Sequence, residues 1–217
     1  KLESVTFLPS PTKTPLNIGC LDWGSEWGPF YDSPLTSINL NRELICVWED
    51  GSPFTPGSWD EGMFAHKHYN DVSSVTVTLG PQVETISNYM FNYLPIQTLT
   101  FPGSVKTIGN NVFDGCEAIT SLIYKPSPTG APLTHGFNDD TDDDGPFYAS
   151  PLTTVNLNRE INYTFTSADT PEEGLFGNKP SLTSVTIGKQ VKTLSKHMFA
   201  NSSIKELVIP GSVNTIQ

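Results

Sequence analysis

Residues 28–44 read GPFYDSPLTSINLNREL, and residues 145–161 read GPFYASPLTTVNLNREI. Thirteen of the seventeen positions are identical at a constant offset of 117. Such internal repetition restricts the chain to folds built by stacking similar units, because each unit must present the same faces to its neighbours. The match extends beyond this pair. SVTFLPSPT at 4–12 pairs with SLIYKPSPT at 121–129 at the same offset. QVETISNYMF at 82–91 pairs with QVKTLSKHMF at 190–199, and IQTLTFPGSVKTIG at 96–109 with IKELVIPGSVNTIQ at 204–217, both at an offset of 108. Two tandem super-modules follow, 1–117 and 118–217. Their loops differ by nine residues while their ordered parts keep register.

A shorter unit lies inside each module. An apolar residue, two others, an apolar, one other and an apolar recur at Leu2-Val5-Phe7, Leu35-Ile38-Leu40, Val72-Val75-Val77 and Ile96-Leu99-Phe101. The pattern returns at Ile119-Leu122-Tyr124, Leu152-Val155-Leu157, Leu182-Val185-Ile187 and Ile204-Leu207-Ile209. The last two members of each trio lie two apart, so they share one face of a strand. Short polar residues such as Ser4, Thr6, Ser37, Asn39, Ser74 and Thr76 take the other face. Middle positions are separated by 33, 37, 24, 23, 33, 30 and 22 residues, a basic unit of 22–23 residues with loops added. A second apolar pair and a Phe follow several trios, as in Val83-Ile86-Phe91, Val105-Ile108-Phe113 and Val191-Leu194-Phe199. Strand, turn, second apolar segment and return make one coil of a solenoid. A lone coil leaves its apolar side wet, at roughly 1.5–3 kcal/mol per large side chain, and stacking removes that cost. Parallel strands about 4.8 Å apart give eight coils a length of roughly 34 Å.

The units IQTLTFPGSVKTIGNNVFDGCEAITSL and PSLTSVTIGKQVKTLSKHMFANSS resemble the BspA-like leucine-rich repeats of bacterial surface proteins, with PGSV, IG, F and GC in family positions. The resemblance implies a leucine-rich-repeat solenoid over 1–217, with a parallel sheet on the concave face and short helical or turn segments on the convex side. It also implies export to the cell surface, a role in adhesion and no catalytic residues. Wide loops at 9–34, 44–64, 125–151 and 161–176 depart from the family pattern. The chain starts and stops inside a module without a polar cap, which predicts a piece of a longer array.

The 12 basic and 23 acidic residues give a formal charge of −11, unsuited to the phosphate backbone of nucleic acid or to an anionic membrane surface. No apolar run is long enough for a membrane span. The partner that the resemblance implies is an extracellular protein, such as a host matrix or neighbouring-cell protein. A glycan is the alternative ligand, and a rigid spacer role needs none.

The four tryptophans, Trp23, Trp27, Trp48 and Trp59, fall within one stretch of the first module. Trp48 aligns with Phe165 and is expected in the core. Trp23, Trp27 and Trp59 lie in loops, where aromatic rings can anchor a partner or stack on a sugar. In NDDTDDDGPF, Asp140, Asp142, Asp144 and Gly145 have the alternating spacing of a calcium loop. The expected bidentate Glu position is Pro151, so the 139–145 loop is read as solvated, with calcium as the alternative, and no cofactor is assigned. His66 and His68 lack a third ligand and are read as surface residues. Cys20, Cys46 and Cys116 align with Phe137, Tyr163 and Leu94, positions of small buried hydrophobes; a Cys20–Cys46 bridge is the alternative. Elbow, zincin, phosphate-loop and dinucleotide signatures are missing, and the carboxylate pairs lie in polar loops. The chain is therefore read as not an enzyme.

Overall fold

The computed structural model describes residues 1–19, 29–30, 33–48, 51–52, 55, 62–64, 72–137, 145–163, 170–171 and 174–217. Seven of the eight trios become four-residue strands: β1 (Ser4–Phe7), β3 (Ser37–Leu40), β5 (Thr76–Leu79), β7 (Thr98–Phe101), β9 (Ser121–Tyr124), β11 (Thr154–Leu157) and β13 (Ser184–Ile187). They pair in parallel as β1-β3-β5 and β7-β9-β11-β13. Ile38 stands opposite Val5 and Val77, and Leu122 opposite Leu99 and Val155, so each trio's inward pair stacks on the next.

One trio is displaced from its expected place. Val77 and Leu79, rather than Val75 and Val77, face Ile38 and Leu40. Thr76 and Thr78 therefore take the outward positions, and Ser74 precedes the strand. Val75 also fits the apolar spacing, which is why periodicity alone chose a frame two residues early. With the true register the middle positions are Ile38, Val77 and Leu99, and the coil between the last two has the basic length.

The second apolar segments form a second set of parallel strands. These are β2 (Leu16–Gly19), β4 (Leu44–Val47), β6 (Thr85–Ile86), β8 (Thr107–Ile108), β10 (Leu133–His135), β12 (Ile161–Tyr163), β14 (Thr193–Leu194) and β15 (Thr215–Ile216). They pair as β2-β4, β6-β8-β10-β12 and β14-β15. The described residues contain no α-helix, and turns make the corners. Two left-handed residues bracket the corner phenylalanine. Tyr89, Asn111 and His197 stand two places before Phe91, Phe113 and Phe199 with φ of 54°, 56° and 54°. Tyr93, Gly115 and Asn201 stand two places after them with φ of 60°, 62° and 54°. This conformation costs a residue with a Cβ, and coil-to-coil bonding offsets the cost. Tyr89 N–H donates to Asn110 O, Asn111 N–H to Phe137 O and Tyr93 N–H to Asp114 O. At Gly115 a Cβ would meet the Tyr93 ring at 2.0 Å, so glycine is required there.

The corner rings make a continuous column through the core. Successive centroids from Phe30 to Phe64, Phe91, Phe113, Phe147, Phe176 and Phe199 lie 5.3, 6.0, 6.4, 5.1, 6.0 and 5.9 Å apart, with interplanar angles of 12–25°. Such offset stacking is favourable beyond the area it buries. A second, shorter ring contact joins Phe101 to Tyr124 at 4.6 Å.

Proline marks where the main ladder parts. The residue after each strand usually donates its N–H to the strand before, as Asn41 does to Phe7 O, Gly80 to Leu40 O, Lys125 to Phe101 O, Asn158 to Tyr124 O and Gly188 to Leu157 O. Pro102 and Pro210 occupy this place after Phe101 and Ile209 and have no N–H to give. Between β5 and β7 only an isolated bridge, Val75 to Ile96, remains. Residues 204–209, which hold the eighth trio, form no strand against β13.

Tyr124 is a polar exception at an inward position held elsewhere by Phe7, Leu40, Leu79, Phe101, Leu157 and Ile187. Its hydroxyl is buried without a partner, and burial pushes the phenol pKa well up. A hydroxyl buried in this way costs about 1–3 kcal/mol. Tyr124→Phe should therefore raise the melting temperature by a few degrees; a fall in a thermal melt would show that the hydroxyl has a partner.

Candidate interaction surface

The outward face of the main strands carries fourteen side chains in two columns, and thirteen are Ser, Thr or Asn. One column runs Ser4, Ser37, Thr76 and then Thr98, Ser121, Thr154, Ser184. The other runs Thr6, Asn39, Thr78 and then Thr100, Ile123, Asn156, Thr186. No outward position on these strands bears a charge. Asn39 ties the face together, donating to Thr6 Oγ1 at 3.3 Å and to Ser37 Oγ at 3.1 Å. Ile123 is the apolar exception, flanked by Thr100 and Asn156.

The duplicated polar motifs turn out to be staples beneath this face. Gln82 accepts from Ser10 N–H at 2.9 Å and donates to Ser10 O at 3.0 Å. Gln190 repeats the pair on Ser127, at 2.7 and 2.8 Å. Each amide thus imitates a strand partner for the backbone of a PSPT loop. From the NRE motif, Arg159 is fully buried and donates to Val105 O at 2.7 Å, Ala131 O at 3.1 Å and Gly103 O at 3.4 Å. The Glu160 carboxylate accepts from the backbone N–H of Lys192 and Thr193. The earlier copy is looser, with Arg42 donating to Thr14 O at 2.8 Å. Sequence reading registered both copies as repeats but had no basis for these contacts, because the partners lie 28–72 residues away.

Trp48 differs from expectation. It stands directly after β4, 42% exposed, whereas Cys46 and Val47 are buried. Its N–H donates to Ser52 O and its carbonyl accepts from Gly51, which has φ of 79°. The chain turns away from the stack at this residue, so the expected core position goes unused. Trp23, Trp27 and Trp59 lie outside the described residues, as do Asp140, Asp142 and Asp144, His66, His68 and Cys20. Cys46 and Cys116 are buried and neither is in a disulfide. The Cys116 thiol donates to Phe91 O at 3.1 Å, and burial pushes its pKa far up. Both are small packing residues, as their alignment with apolar positions implies. Among the described residues no group of three or more His, Cys, Asp or Glu is arranged to hold a metal ion, and no helix is long and apolar enough to cross a membrane.

Stacked parallel coils, a turned corner with a central Phe and an uncharged strand face define a leucine-rich-repeat protein. More specifically, the BspA type leucine rich repeat region matches in six copies over residues 63–130 and 143–217, more than half of the sequence, and the chain belongs to that family. No curated protein and no solved structure matches it. The match leaves out residues 1–62, yet β1 and β3 continue the ladder from β5 in register.

Proposed function

We propose that the chain is a non-enzymatic cell-surface adhesion module that grips an extracellular protein through its Ser/Thr/Asn face. The observation that carries this reading is the uncharged, in-register face itself. Its side chains are short, so ordering them on binding costs little entropy, while their hydroxyl and amide groups accept or donate to another chain. Family membership makes a protein-interaction repeat module the natural class, and surface association is typical of the family. Selectivity comes from the long loops between the coils. A panel of immobilised extracellular-matrix proteins read by surface plasmon resonance tests the proposal. Thr100→Arg with Thr154→Arg, on the same face two coils apart, should lower affinity for a bound panel member at least tenfold without changing the melting temperature. Equal binding by the variant would remove the face from the interface.

The exposure of Trp48 favours a second reading, glycan binding. There Trp48 joins Trp23, Trp27 and Trp59 as a platform on which sugar rings stack. A glycan array gives signals under this reading while the matrix panel stays silent. Trp48→Ala should then weaken sugar binding, whereas the paired arginine variant should not.

A further inference from the structure

His135 is the last residue of β10, in the middle of the second sheet, and neither proposed mode of binding uses it. Its ring is 4% exposed and caged by Phe113, Phe147 and Tyr163, with centroids 6.3, 5.4 and 6.3 Å away. Nδ1 lies 2.7 Å from Gly136 O, which fixes the neutral tautomer with the proton on Nδ1. Nε2 is buried with no partner. The ring thus has a basic nitrogen sealed among aromatic carbons. A proton placed there would create a cation with no acceptor for its new N–H.

We propose that His135 is an acid-sensitive latch: proton uptake at Nε2 expels the imidazole from its cage and releases β10 and the Phe147 corner from the stack, while the main strand ladder stays paired. The geometry supplies both states. In the closed state the neutral ring completes contacts between the Phe113 and Phe147 corners and β12. In the open state the imidazolium reaches water, and β10 loses its pairings with β8 and β12.

Among the described residues, the surroundings offer the charged ring no acceptor at Nε2. Tyr163 faces it from β12 as a phenol. β8 brings Thr107 and Ile108. Arg159, ahead of β12, is held by backbone carbonyls, and Lys106, ahead of β8, pairs with Glu84. Asp114 follows Phe113 in its corner. No carboxylate among the described residues shares a hydrogen bond or ion pair with His135. Burial accordingly lowers its pKa from 6.5 to about 4, the Gly136 carbonyl opposing this in part. Below about pH 6.5 the open form takes up a proton that the closed form refuses until about pH 4, so closure weakens as pH falls through that window.

Hydrogen exchange read by mass spectrometry at pH 7.0 and 5.0, corrected for intrinsic rates, tests the latch. Ordinary carboxylates remain ionised at pH 5.0. Protection of peptides covering β10 and the Phe147 corner should fall roughly 20-fold on acidification, with β7 and β9 unchanged. His135→Phe should abolish the response. Equal loss across all coils, or a response that persists in the variant, would overturn the proposal. Should the phenylalanine variant not fold, the ring of the wild-type protein decides by NMR: titration near 6.5 refutes the latch and titration near 4 supports it.

Discussion

Phe113→Ala should lower the melting temperature by roughly 6–20 °C, the shift expected when about 3–5 kcal/mol is lost from a chain of this size. Phe113 is the fourth of seven rings in the corner column. It contacts Phe91 and Phe147 along the stack, Phe101 to one side and His135 to the other. Truncation removes a fully buried ring and leaves a void the corner cannot close. The left-handed residues Asn111 and Gly115 on either side are fixed by bonds from Asn111 to Phe137 O and from Tyr93 to Asp114 O. Because each coil touches only its neighbours, a gap at the centre also uncouples the two halves of the stack. Melting should broaden or split into two steps by calorimetry. Phe199→Ala should cost less, since one face of that ring has no further ring of the column to stack on. A central truncation no more harmful than the terminal one would mean that the column does not hold the coils together.

The features that were legible in the sequence are those set by local periodicity. Apolar trios two apart on a strand, a second apolar pair and a Phe at fixed distance located seven main strands, the second-sheet strands β6, β8 and β14, and three rings of the column, Phe91, Phe113 and Phe199, whereas β2, β4, β10 and β12 lie within the stretches read as wide loops. Where two frames fitted equally well, as at Val75 and Val77, pairing with Ile38 and Leu40 decided the register, and no local pattern could have done so. The parting of the main ladder was also readable in principle. Pro102 and Pro210 stand where the neighbouring coils donate an N–H, but that meaning emerges only once the donors in the other coils are known.

Of the candidate surface, the outward Ser, Thr and Asn residues followed directly from strand alternation. The exposure of Trp48 did not. Alignment with Phe165 says what kind of side chain a position accepts, whereas exposure depends on where the chain leaves the coil. His135 was invisible for a related reason: a histidine at the end of a short strand looks ordinary until three rings from its own and the adjacent coils close around it. Long-range polar contacts were equally out of reach, although the repeats had already flagged the residues that make them.

Arg159→Met tests one such contact, with an expected loss of about 2–5 kcal/mol. The outcome depends on which of two effects is larger. Replacing a buried ion pair by apolar side chains is often neutral, because removing both charges also removes their desolvation cost. Arg159 has no carboxylate partner of that kind. Its two terminal nitrogens donate to the backbone carbonyls of Val105, Ala131 and Gly103, while Nε is buried without a partner, and a side-chain substitution cannot delete those carbonyls. Once the guanidinium is gone, the carbonyls keep their need for donors at about 1–3 kcal/mol each, in a place where the methionine chain keeps water out. Loss therefore exceeds gain. Arg159→Lys should fall between, since a single ammonium cannot match the fork that spans the carbonyls. Arg42→Met is the internal control. The same motif there donates to Thr14 O, and its loss should cost about 1 kcal/mol. Chemical denaturation of the three variants measures the order directly. Equal effects at positions 42 and 159 would mean that the three-carbonyl clamp adds nothing to the stack, and that the duplicated NRE motif holds the coils by some other contact.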